Sequence, residues 1–120
     1  MSEGTPILVV DDDASIAGLV AAALEDEGYS VAVARNGVEA LAFVQGRMPR
    51  LVLLDMRMPE MNGWEFAAAY RELPAPRAPI VVMTAGRDAA EKARDINADG
   101  YLGKPFDLDQ LIEVVAQYAA

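Results

Sequence analysis

The 120-residue chain contains no cysteine and no histidine. Without cysteine it can form no disulfide, thiolate zinc site or Cys nucleophile, and nothing marks it for an oxidising compartment. Without histidine it has no Ser-His hydrolase chemistry, no His-ligated metal and no phosphohistidine of its own. It cannot be the donor in a histidine relay. No apolar run approaches the roughly 18 residues of a membrane span. The opening Met1-Ser2-Glu3-Gly4 lacks the basic-then-apolar order of a signal peptide. A soluble cytoplasmic protein with no membrane partner is expected. Basic residues are few, 10 Lys plus Arg against 19 Asp plus Glu for a net charge of −9, and they form no cluster. Direct nucleic-acid binding is therefore not expected, since affinity for a phosphate backbone rests on Lys and Arg.

What is present suits one compact domain. The composition is 53% apolar, and a chain of this size removes roughly two thirds of its unfolded surface from water. Five short apolar runs punctuate it: 7–10, 31–34, 51–54, 80–83 and 101–102. Between them the spacing is helical. Ile16, Val20, Ala23 and Leu24 stripe a first helix, which Gly28 should end. Asn36 with Glu39 opens a second helix, and Phe66, Tyr70 and Leu73 give a third its inner face. A fourth, over about residues 88–96, is Ala-rich and weakly patterned. Leu108, Leu111, Ile112, Val115 and Tyr118 stripe a fifth, with Asp107 and Gln110 at capping-box spacing.

Five strands and five helices give about 24 residues per strand–helix unit, which suits short loops. Runs that are apolar throughout imply burial on both faces, hence a parallel sheet between helix layers. Right-handed crossovers then favour a doubly wound α/β topology. Pro74, Pro76 and Pro79 read as a stiff surface connection. One domain over residues 1–120 is expected, its core from about 6 to 118, with no output domain after the fifth helix.

The polar residues collect where strands end. Asp11, Asp12 and Asp13 follow the first run, Asp55 the third, Thr84 the fourth, and Lys104-Pro105 comes just after the fifth. Carboxyl ends of parallel strands share one edge, and ligands bind there where strand order reverses. With order 2-1-3-4-5, Asp11, Asp12 and Asp55 converge at that point. Three carboxylates in one crevice repel unless a cation joins them. Oxygen donors alone make Mg²⁺ the natural candidate, with Mn²⁺ possible. A carboxylate beside such an ion can act as a nucleophile and form an acyl phosphate. Lys104 offers a point charge and Thr84 a hydroxyl for the phosphoryl oxygens. Taken singly, each residue has a plain structural role: Asp11 to Asp13 as an acidic helix cap, with Asp13 the cap itself, Asp55 as a turn residue, Thr84 as a loop hydroxyl and Lys104 as a solvated charge. What those roles leave unexplained is why all of them lie on one edge.

Val9-Val10-Asp11-Asp12, then Leu54-Asp55-Met56-Arg57-Met58-Pro59 with Gly63 beyond it, then Thr84-Ala85, then Lys104-Pro105-Phe106 together resemble a response-regulator receiver domain, over about residues 7–118. The resemblance implies a (βα)5 flavodoxin-like sandwich of order 2-1-3-4-5, with Asp55 as phosphoacceptor. It implies Asp12, Asp55 and the Arg57 backbone carbonyl as Mg²⁺ ligands, Asp11 holding a metal-bound water, Thr84 and Lys104 on the phosphoryl oxygens, and a cis bond before Pro105. It also implies a switch, in which the Thr84 position moves toward the phosphate, the Tyr101 ring turns inward, and the face of helix 4, strand 5 and helix 5 is remodelled.

The expected donor is the phosphohistidine of a histidine kinase or histidine phosphotransfer protein, with a downstream protein target and a monomer or phosphorylation-dependent dimer. The expected role is a switch with at most slow autodephosphorylation. A receiver-fold module that signals without phosphate is one alternative. An Asp-nucleophile phosphatase of the haloacid dehalogenase type is another, using Asp11, Asp13, Thr84 and Lys104, but it lacks a later acidic motif and leaves Asp55 without a role. Two departures are expected to tune the acyl phosphate: Arg57, by shielding it or by pairing with a neighbouring acid such as Glu60, and Gly86, which leaves the opposite side open. Gly103 could loosen the Lys104 loop. Met56, Met58 and Met61 read as packing, and Trp64 as a half-buried probe.

Overall fold

The computed structural model describes residues 5–85 and 88–119. The elements run β1 (Ile7–Val10), α1 (Ala14–Asp26), β2 (Val31–Ala34), α2 (Gly37–Gly46), β3 (Leu51–Asp55), α3 (Gly63–Arg71), β4 (Ile80–Ala85), α4 (Ala89–Asp95), β5 (Gly100–Lys104) and α5 (Leu108–Tyr118). All strand pairs are parallel and the order is β2-β1-β3-β4-β5, as expected.

Alternation along the strands divides the core in two. Leu8, Val10, Val52, Leu54, Ile80 and Val82 face Ala40, Val44, Phe66, Tyr70, Ala93 and Ile96 of the α2–α3–α4 side. Ile7, Val9, Leu51, Leu53, Val81 and Met83 face Ala17, Val20, Leu24, Leu111 and Val115 of α1 and α5. The three inner strands therefore read as unbroken apolar runs.

Helix ends follow local chemistry. Asp13 caps α1, accepting from the backbone N–H groups of Ser15 and Ile16 at 3.0 and 3.2 Å. Gly28, at φ 96°, ends that helix in the left-handed region. Asp107 and Gln110 form the expected capping box, and Asn62 with Glu65 forms a second at the start of α3 that the sequence reading did not anticipate. At α2, Asn36 caps Glu39, but the Glu39 carboxylate bonds the Arg35 backbone instead of Asn36.

Four expectations require correction. β2 is an edge strand, so Val33 is 47% exposed instead of buried on both faces. Leu108 stands at the first turn of α5 and is 40% exposed, while Leu111 and Val115 are fully buried in the core on that side. Leu73 lies two residues past the end of α3 and packs from the connection instead of the helix. β5 spans five residues instead of two, because Gly100, Gly103 and Lys104 extend the ladder with β4 in spite of low strand propensity. The proline connection is confirmed, with a cis bond at Ala75-Pro76 as well as at Lys104-Pro105.

Candidate functional site

The reversal of strand order places β1 and β3 side by side, Val10 opposite Leu54. The residues that follow this pair, Asp11 and Asp55, thereby come together at the carboxyl edge. One oxygen each from Asp11, Asp12 and Asp55 lies within 4.8 Å of the others. Asp11 is fully buried, Asp55 is 6% exposed and Asp12 faces solvent. Lys104 enters from the end of β5, its Nζ 2.8 Å from Asp11 Oδ2 and 3.8 Å from Asp55 Oδ1. The other Asp11 oxygen accepts from the Asp13 backbone at 2.9 Å. Thr84, buried on β4, lies one position past the Asp55–Met83 pair and is aligned with Gly103 of β5.

The electrostatics are unbalanced toward negative charge. Burial pushes the Asp55 carboxyl up from 3.8 to about 6; Lys104 opposes this, the charges of Asp11 and Asp12 add to it, and a hydrogen bond from the Arg57 backbone lowers it again. One ammonium does not offset three carboxylates. The donor set is all oxygen and the oxygens already converge, which fits a small hard dication such as Mg²⁺ or Mn²⁺.

The segment after Asp55 is held by backbone geometry. The Gly63 N–H donates to the Met56 carbonyl at 3.0 Å, and a Cβ on Gly63 would come 2.7 Å from the Met56 Cα. This explains a glycine eight residues past Asp55. The same segment is tied to α2: Gly37 N–H donates to the Met61 carbonyl at 3.0 Å and Asn36 Nδ2 to Glu60 Oε1 at 3.1 Å. Glu60 is thus engaged by Asn36, and the expected alternative of an Arg57–Glu60 pair is not formed. The exposed Arg57 makes no ion pair among the described residues.

The remaining expectations sort as follows. Met56 and Met58 are buried in the core, with Met61 partly buried against it. Trp64 is half-buried. Tyr101 is 53% exposed on the outer edge of β5, beside a cavity of about 440 Å³ lined in part by Arg94, Val114 and Tyr118. Gly86 lies outside the described residues. Asp11, the nucleophile that a dehalogenase-type phosphatase would need, has both oxygens occupied by Lys104 and the Asp13 N–H. The sequence reading missed the Asp11–Lys104 pair, the buried Lys92 stem and the polar contacts between α3 and α4.

A doubly wound parallel sheet with an acidic trio and a lysine at its switch point defines the class. Residues 7–116 match the response regulator receiver domain family. A 14.6 kDa protein of Leptolyngbya boryana is 40% identical over 115 residues, covering 93% of this chain and 88% of that one. The response regulator MprA of Mycobacterium sp. (strain KMS) is 40% identical over 108 residues, covering 88% of this chain but only 46% of its own length. The chain therefore spans about half the length of the MprA relatives it matches. Among solved structures, the receiver domain of NtrX from Brucella abortus superposes with a TM-score of 0.84 at 33% identity, covering 94% of this chain and 97% of that one. The chain belongs to the response regulator receiver family. Membership of this family supports a phosphoacceptor role in two-component signalling. Mg²⁺ binding is typical of the family, and the acidic trio is consistent with it. No described helix is long and apolar enough to cross a membrane.

Proposed function

We propose that Asp55 is the phosphoacceptor. An Asp55 carboxylate oxygen attacks the phosphorus of a phosphohistidine on a partner kinase or phosphotransfer protein. The new P–O bond forms as the P–N bond breaks, and the imidazole leaves with the bonding pair. Asp12, Asp55 and the Arg57 carbonyl would hold a divalent cation, with Asp11 binding it through water. When bound, that cation supplies charge neutralisation for the carboxylates and the transferred oxygens. Lys104, 3.8 Å from Asp55, would neutralise charge on the phosphoryl group, and the Thr84 hydroxyl would donate to it. Attack by water later breaks the P–O bond slowly and restores the carboxylate.

The observation that carries this reading is the position of the Asp55 carboxylate: buried, flanked by two acids and within reach of one ammonium. The readout we assign to the α4–β5–α5 face, through Thr84 and Tyr101, acting on a cytoplasmic protein target as a monomer or phosphorylation-dependent dimer. Incubation with acetyl phosphate and Mg²⁺ followed by intact mass tests the assignment. Wild type gains one phosphoryl group and Asp55→Asn gains none; equal modification of both rejects Asp55.

A further inference from the structure

Helix α4 is secured at one end by its neighbour α3. It has only seven residues, and its N-cap Asp88 makes no side-chain capping bond. At the other end Arg71, the last residue of α3, donates through Nη2 to the carbonyls of Ile96 and Asn97 at 2.6 and 2.8 Å. A cation there complements both the free carbonyls and the negative end of the helix. Trp64, near the start of α3, donates from Nε1 to Asp95 Oδ2 at 3.2 Å. Asp95 ends α4, where a carboxylate is disfavoured by the helix dipole. The Trp64 bond gives that unfavourably placed acid a partner.

Trp64 is also a shared wall. One cavity, of about 400 Å³, is lined by Trp64 together with Asp12, Arg57 and Met58 beside the acidic trio. A second, of about 320 Å³, is lined by Trp64 with Arg71, Asp95 and Asn97 between α3 and α4. The indole thus connects the acidic edge to the C-terminal end of α4 without passing through β4.

We propose that Trp64, Asp95 and Arg71 form a latch that pins the end of α4 to α3 in the unphosphorylated protein and opens when the site is charged. The proposal rests on the Asp55 phosphoacceptor reading. Because linkage is reciprocal, a contact present only in the resting state lowers the affinity of the site for a phosphoryl mimic. Removing the latch therefore tightens that binding.

The test uses the full chain and two variants. Trp64→Phe keeps a ring but loses the N–H; Asp95→Ala loses the acceptor while raising helix propensity, so any loosening occurs against that gain. Amide hydrogen exchange without ligand is expected to quicken for residues 93–98 in both. Titration with beryllofluoride and Mg²⁺ is expected to show affinity roughly threefold to tenfold tighter in both than in wild type. Asp109→Ala, which removes a negative charge from the exposed face of α5, is expected to match wild type and so controls for charge alone. Unchanged exchange in both variants, or unchanged or weaker beryllofluoride binding, overturns the latch. A wild type that binds no beryllofluoride shows instead that the phosphoacceptor reading is wrong.

Discussion

Lys104 sits closer to Asp11 than to Asp55, its Nζ 2.8 Å from the one carboxylate and 3.8 Å from the other. The lysine is therefore the counter-charge of a fully buried acid. Lys104→Met should cost about 3–5 kcal/mol, because it leaves Asp11 buried without its partner. Urea unfolding measures this, and added Mg²⁺ should recover part of the loss.

Asp55 gives stability a pH dependence of known sign. Its folded pKa of about 6 lies above the ordinary value of 3.8, so between these values the folded state binds more protons than the unfolded one. The Asp55 contribution is greatest below about pH 4, declines as pH rises, and is lost above about pH 6. The difference is at most roughly 3 kcal/mol. Denaturation from pH 4 to 7.5 without divalent ions should show Asp55→Asn gaining stability relative to wild type as pH rises. Mg²⁺ should narrow the gap by stabilising wild type more than the variant, which keeps Asp11 and Asp12 but loses one carboxylate ligand.

Gly63 has no room for a side chain against the Met56 backbone. Gly63→Ala should destabilise the protein by about 1–3 kcal/mol through overpacking, read by thermal unfolding. It should also slow labelling of Asp55 by acetyl phosphate, since the displaced backbone is the one that follows the acceptor.

Arg57 is exposed, without an ion pair among the described residues, and Glu60 is occupied by Asn36. With Glu60 so engaged, shielding of the acyl phosphate is the role we propose for Arg57. Arg57→Ala should hydrolyse roughly threefold to tenfold faster, a barrier change of about 1 kcal/mol. Intact mass followed over time after removal of the donor reads the rate; an unchanged rate removes the idea.

Much of this protein follows from local order in its chain. Unbroken runs such as 7–10 and 51–54 require burial on two faces, and Asp13, Gly28 and the Asp107–Gln110 pair set helix ends through contacts within a few residues. The strand-end positions of Asp11, Asp12, Asp55, Thr84 and Lys104 were legible for the same reason, because parallel strands put every carboxyl end on one edge. Which strand becomes an exposed edge was decided only in three dimensions, and with it the fates of Val33 and Tyr101. So were the preference of Lys104 for Asp11, the diversion of Glu60 to Asn36 and the Trp64–Asp95 contact. These pairs lie 93, 24 and 31 residues apart; no periodicity encodes a bond between side chains that meet only after the sheet has formed.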